Sequence, residues 1–264
     1  MTWNDECAVR KTDDSTFEVS LHESWRSLQG IHGGIVAAMS VRAAAEVAGE
    51  SPDGRSLTLR AATFGYAAGN QVGEARIKVD VVRRGRNMTT VHTSMSQEDR
   101  TTLVSRMHFS TPWDGVEFSD APSPPPRPEG TVRLDTPEKT THISKVETWA
   151  HPDHLFLSGG PRAEWKVWSR PKPGDSFDAS WLAMYGDLMP PPVLARSTEP
   201  RRAVSIEYSL QIHSAVPEWS LGDGYLCMQM HTFHSHDGFS VDDGHIWMPD
   251  GTLLATTRQT RLAG

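Results

Sequence analysis

The sequence predicts an α+β protein made of two similar modules, each a long central helix wrapped by an antiparallel sheet. Three observations carry this. A proline-rich stretch divides the 264 residues into comparable halves, each half contains one apolar segment with helical spacing, and that segment is accompanied by several segments with two-residue alternation.

The dividing stretch runs from 112 to 142 and holds Pro112, Pro122, Pro124, Pro125, Pro126, Pro128 and Pro137. Proline removes backbone donors and favours extended coil, so this stretch reads as a linker between a first module, 1–111, and a second, 143–264.

In the first module, Gly33 to Ala48 is an Ala-rich run entered through Gly33-Gly34. Ile35, Met39, Ala43 and Val47 recur at helical intervals, and small residues on the other faces predict a helix enclosed by sheet. Strand segments follow. Ala75, Ile77, Val79 and Val81 alternate with Arg76, Lys78 and Asp80; Asn87 to Ser96 is rich in Thr and Val; Leu103, Ser105, Met107 and Phe109 share one face of Thr102 to Ser110.

The second module repeats the scheme. Arg162 to Ser169 reads as a strand. Asp178 to Met189 reads as a helix with Asp178 as its N-cap, stopped by Pro190-Pro191-Pro192. Val204 to His213 alternates apolar and polar residues. Tyr225 to His234, Gly244 to Met248 and Thr252 to Leu262 complete the sheet, and Pro249-Asp250-Gly251 signals a hairpin turn. At residue level the repeat is faint: Thr101-Thr102-Leu103-Val104-Ser105 is similar to Gly251-Thr252-Leu253-Leu254-Ala255.

The net charge of −7 disfavours nucleic acid as a partner, because phosphate backbones reward basic faces. Two cysteines, Cys7 and Cys227, form no spaced framework and predict reduced thiols in a cytoplasmic protein. The polar N-terminal residues and the lack of a long apolar stretch predict neither export nor a membrane span.

Short motifs resemble one family. Gly30-Ile31-His32-Gly33-Gly34-Ile35-Val36-Ala37-Ala38 resembles the helix entry of acyl-CoA thioesterases of the hotdog fold, and Asp80 to Arg86 resembles the strand and turn that follow there. Tyr185-Gly186-Asp187-Leu188 with Pro192-Val193-Leu194 resembles the Asp-bearing helix of type II, double-hotdog acyl-CoA thioesterases. Val204-Ser205-Ile206-Glu207 resembles that family's T-I-D strand, with Ser205 at the threonine position and Glu207 where Asp is usual. Pro249 to Gln259 resembles its final hairpin, which ends in a glutamine. The resemblance implies a double hotdog, hydrolysis of a fatty or related acyl-CoA, and a water held by Asp187, Ser205 and Gln259. It also implies a homodimer or higher homo-oligomer.

The chemistry suits these residue types. A carboxylate accepts a proton from attacking water, and hydroxyl and amide groups orient that water. Amides at a helix N-terminus stabilise an oxyanion, which the Gly33-Gly34 entry offers; the same glycines also suit close packing of helix on sheet. Such a reaction requires no metal or organic cofactor. Asp187 lies near the negative end of its helix, so its carboxylate is either useful there or solvated. Ser205 alternates onto the polar face with Glu207 and so also reads as an exposed strand serine. Gln259 shares a face with Leu253, Ala255 and Thr257, which points to a buried, hydrogen-bonded role. Glu207 is an alternative base on a solvated face. His32 suits either a thioester contact or a helix cap. Arg83, Arg84 and Arg86 suit contacts to the phosphates of CoA or a charged hairpin turn. His231, His234, His236 and Asp237 invite a metal reading, but His231 points away from the other two on a strand.

Other activities fit less well. No D-x-N-P-x-H-like segment of a hotdog hydratase is present, and Ile35 to Ala45 carries no carboxylate. A non-catalytic protein of the same fold that binds acyl-CoA or an acyl carrier is the non-enzyme alternative.

Overall fold

The computed structural model describes residues 2–134, 141–215 and 218–263. In the first half, β1 (Thr16–Leu21) leads to α1 (Gly33–Ala48), followed by β2 (Thr58–Tyr66), β3 (Gly73–Arg84), β4 (Met88–Gln97) and β5 (Arg100–Ser110). In the second, β6 (Glu147–Ala150) and β7 (Glu164–Arg170) precede α2 (Ala179–Gly186). Then come β8 (Ala203–Ile212), β9 (Leu226–His236), β10 (Phe239–Trp247) and β11 (Leu253–Ala263).

Among the described residues these strands form one antiparallel sheet in the order β1-β3-β4-β5-β2-β8-β11-β10-β9-β7-β6, with a two-residue strand at either edge. The duplication is exact in order: β1-β3-β4-β5-β2 from one edge mirrors β7-β9-β10-β11-β8 from the other. The halves meet where β2 pairs with β8. There Phe64 lies opposite Tyr208, with the rings stacked at 5.3 Å.

Local chemistry explains the elements. On β3, Ala75, Ile77 and Val79 are buried as their alternation predicts, whereas a bulge between Val81 and Arg83 turns Val81 outward. In α1, residues from Gly34 to Ala44 are buried on almost every face. Its small side chains let it lie against β3, β4 and β5 on one side and α2 on the other. A Cβ on Gly34 would stand 2.6 Å from the Met184 carbonyl oxygen, so the two helices meet backbone to backbone there. Gly34 therefore packs helix on helix, while a Cβ on Gly33 would stand 3.0 Å from the Tyr66 ring of β2, the helix-on-sheet contact that was expected.

The second helix is shorter than predicted. Asp178 is its N-cap, accepting from Trp181 N–H at 2.9 Å, but the helix ends at Gly186 instead of Met189. The proline run explains this four residues upstream. Pro190 and Pro191 have no N–H to offer the carbonyls of Gly186 and Asp187, the i−4 acceptors in a helix. The module thus carries a two-turn helix, not a long one.

The proline-rich stretch has no regular secondary structure from 112 to 128 and is docked along the second half. Trp247 Nε1 donates to the Pro122 carbonyl at 3.1 Å, and the Arg127 guanidinium lies over the rings of Trp149 and Tyr225. Val132–Arg133 adds an edge strand to β6. Pro137 lies outside the described residues.

Candidate active site

The site forms where the C-terminus of α2 meets the N-terminus of α1 and the inner faces of β8 and β11. Asp187 is the C-cap of α2 and is 3% exposed. The proline run leaves the carbonyls beside it without helical donors, and side chains from elsewhere supply them. Gln259 Nε2 donates to the Gly186 carbonyl at 2.8 Å, His32 Nε2 to the Asp187 carbonyl at 3.1 Å, and Arg261 Nη2 to the Met189 carbonyl at 3.4 Å.

Ser205 reaches the site through a second bulge. Strict alternation on β8 would turn Ile206 inward with Tyr208 and leave Ser205 outside. The register instead shifts between Ser205 and Glu207, so Ile206 is 38% exposed and Ser205 faces in. Its hydroxyl donates to Asp187 Oδ1 at 3.0 Å and lies 3.4 Å from Gln259 Oε1. Asp187, Ser205 and Gln259, drawn from three elements, are thereby brought together. Gln259 is fully buried opposite Tyr208. Glu207 is exposed on the outer face and is not part of the cluster.

Further groups complete the surroundings. Arg261, two residues beyond Gln259 on the same face, donates through Nη1 to Ser205 Oγ at 3.1 Å and has Nη2 3.7 Å from Asp187 Oδ1. Its Nε lies 2.9 Å from Asp242 Oδ2, and Asp242 in turn accepts from Thr232 Oγ1 at 2.5 Å. Tyr66, from the first half, donates to Asp187 Oδ2 at 3.4 Å. The strand alternation that singled out Gln259 also contained Arg261. Tyr66 and Asp242 come from separate strands and have no local signal.

Burial pushes the Asp187 carboxyl above its ordinary pKa; Arg261, Ser205, His142 and Tyr66 oppose the shift. His32 is buried and driven down to about 3, first by desolvation and then by Arg261, so it is neutral. The Gly34 N–H donates to its Nδ1 at 3.1 Å, which puts the ring proton on Nε2, toward the Asp187 carbonyl. Both ring nitrogens are engaged, so His32 is a cap and a strut under Asp187, not a substrate donor. The Gly34 amide is taken by that cap. Gly33, at the first helical position, keeps an N–H with no helical acceptor. A Cβ there would stand 2.7 Å from Asp187 Oδ2. His142 stacks on His32 at 4.3 Å between ring centres, and its Nδ1 lies 3.2 Å from the Arg26 carbonyl oxygen.

The arginine hairpin is elsewhere. Arg84 donates to the carbonyls of Ala48 and Val47 at 2.7 and 2.9 Å, closing the far end of α1. Along a helix of this length that end is about 22 Å from Gly33. Among the described residues no group of three or more His, Cys, Asp or Glu is placed to hold a metal ion, and no helix is long and apolar enough to cross a membrane.

Residues 116–263 match the acyl-CoA thioesterase C-terminal domain, and residues 21–110 match the acyl-CoA thioesterase N-terminal domain. No curated protein sequence matches the chain. A conserved protein of unknown function with a hot dog fold from Alicyclobacillus acidocaldarius superposes with a TM-score of 0.84 at 20% identity, over 99% of this chain and 97% of that one. An acyl-CoA thioesterase II from Mycobacterium marinum superposes with a TM-score of 0.76 at 17% identity, over 99% and 97% of the two chains. These likenesses, with the duplicated strand order, make the fold a double hotdog.

Proposed function

We propose, for a chain that belongs to the acyl-CoA thioesterase family through both of its halves, that Asp187, Ser205 and Gln259 hydrolyse a fatty or related acyl-CoA in the cytoplasm. The observation that carries the residue assignment is their convergence on Asp187: one hydroxyl at 3.0 Å and one amide anchored on the neighbouring carbonyl at 2.8 Å.

Each group has a role that its bonds define. Gln259 Nε2 is fixed on Gly186, which aims Oε1 toward the Ser205 hydroxyl. The Ser205 proton goes to Asp187, because an ionised acceptor at 3.0 Å outcompetes a neutral one at 3.4 Å. Gln259 Oε1 and the Asp187 carboxylate then accept the two hydrogens of a water, whose lone pair faces the thioester carbon. As water oxygen attacks, Asp187 takes its proton. The tetrahedral oxyanion faces the N-terminus of α1, where the Gly33 N–H has no helical acceptor. Collapse breaks the carbon–sulfur bond, the thiolate of CoA leaves, and the proton passes from Asp187 to it or to solvent.

The test is thiol release from acyl-CoAs of graded chain length by the wild type, Asp187→Asn and Gln259→Ala. The reading expects turnover by the wild type and large losses in both variants. Binding of acyl-CoA without thiol release would replace it with a binding protein of the same fold.

A further inference from the structure

We infer that a cavity at the open end of the site receives the phosphate end of the substrate's pantetheine arm, with Arg196 and Arg201 as its cations; this rests on the thioesterase reading above. The cavity has a volume of about 420 Å³ and is lined by Arg196, Thr198, Glu199, Arg201, Ser235 and Ala263, among others.

The sheet register ties it to the catalytic cluster. Ser205 pairs with Arg261 across β8 and β11, Arg261 with Ser240 of β10, and Ser240 with Ser235 of β9. Paired residues share a face, so these four form a row across the inner side of the sheet. One pleat repeat further, Ala203 pairs with Ala263, and Ala263 lines the cavity. The cavity therefore starts where the row of site residues ends.

The opposite wall is a braced loop. After the short turn Pro192–Arg196, Gly160 N–H and Ser158 Oγ donate to the Ala195 carbonyl at 2.8 and 3.3 Å, and Gly159 N–H donates to the Ser197 carbonyl at 3.1 Å. Arg196 and Arg201 are exposed at this rim, against a single lining carboxylate, Glu199. Two guanidiniums at the mouth of an acidic protein are a local exception to its charge and suit phosphate oxygens.

Length decides between the two arginine groups. From the thioester sulfur to the first phosphorus the arm has about thirteen bonds, roughly 15 Å when extended at a peptide-like advance of about 1.2 Å per bond. Arg201 precedes Ser205 by four residues, on the order of 13 Å of extended chain. Arg84 closes the far end of α1, about 22 Å from Gly33, and its guanidinium already holds two helix carbonyls. Arg201 thus lies within the arm's length of Ser205, whereas the Arg84 guanidinium is already engaged on two helix carbonyls.

Calorimetric titration with coenzyme A, phosphopantetheine and pantetheine tests this on the full chain. The wild type is expected to bind coenzyme A more tightly than pantetheine. In Arg196→Gln/Arg201→Gln the affinity for coenzyme A falls at least about tenfold, and the ratio of kcat/KM for acyl-CoA over acyl-pantetheine falls with it. Phosphopantetheine separates a nucleotide handle from the single phosphate by which a carrier protein presents the same arm. Equal binding of coenzyme A and pantetheine, unchanged affinity in the double variant, or a loss seen instead in Arg83→Gln/Arg86→Gln overturns the inference. A wild type that binds coenzyme A through Arg196 and Arg201 but releases no thiol overturns the catalytic reading and keeps this one.

Discussion

The Ser205 hydroxyl lies 3.0 Å from Asp187 Oδ1 because β8 carries one extra residue between Ser205 and Glu207. Replacing Ser205 with Ala removes a donor to the carboxylate without altering the bulge. Turnover in acyl-CoA hydrolysis is expected to fall by about tenfold to a hundredfold, with the melting temperature nearly unchanged. Ser205→Thr keeps the hydroxyl and is expected to retain most activity. Steady-state kinetics on both variants check this, and an unimpaired Ser205→Ala enzyme would remove Ser205 from the mechanism.

Asp187→Asn keeps the shape of the base but cannot accept the proton from water. A loss in kcat of about 10²–10⁴-fold is expected. Gln259→Ala has an added structural cost, because the buried Gly186 carbonyl loses its donor at 2.8 Å. A buried acceptor left unpaired costs about 1–3 kcal/mol, so this variant should lose both activity and melting temperature.

The pH dependence follows from the charges facing Asp187. Burial raises its pKa; Arg261 is the largest opposing influence, then Ser205, His142 and Tyr66. His32 and His142 are neutral neighbours, Tyr208 is a buried phenol, and Asp242 neutralises Arg261. A base must be ionised to work, so kcat/KM should rise with pH through a midpoint above the ordinary carboxylate range. Removing Arg261 removes stabilisation of the ionised form and should move that midpoint to higher pH. Arg261→Met alone would strand the buried Asp242, so Arg261→Met/Asp242→Asn is the better variant. A pH–rate profile identical to that of the wild type would show that Arg261 does not act on Asp187.

The stacked pair His32 and His142 predicts acid sensitivity. Both folded-state pKa values are depressed from 6.5 to about 3, chiefly by burial. The unfolded chain therefore binds more protons. Their contribution to stability is complete above pH 6.5 and is lost as pH falls from 6.5 toward 3. Thermal melts should show declining stability from pH 6.5 downward, and His142→Phe, which keeps a ring on His32, should flatten that decline.

Gly33 faces Asp187 so closely that an added Cβ would lie 2.7 Å from Oδ2. Gly33→Ala must displace the carboxylate or the entry of α1. It is expected to reduce kcat strongly and to destabilise by about 1–3 kcal/mol. Activity assays and melting curves check the two parts separately.

The two-module α+β scheme is legible in the residues alone, because periodicity and proline content are local properties that burial then obeys. The residues also mark Gln259, whose apolar strand companions demand a buried, paired role, and they place Asp187 at a helix end. The remaining features arise from long-range packing. Ser205 reads outward by simple alternation and faces inward only because a bulge, set by pairing with β11, shifts the pleat. The second helix stops early because the prolines act on carbonyls four residues upstream, which then take side chains from α1 and β11. Tyr66 and Arg261 meet Asp187 from different strands, Asp242 holds Arg261 from a third, and His142 packs on His32 from the end of the proline-rich stretch. Arg84 reads as a phosphate contact or part of a charged turn but closes the end of α1. Such relationships join residues far apart in the chain, and only packing, which fixes distance and direction together, creates them.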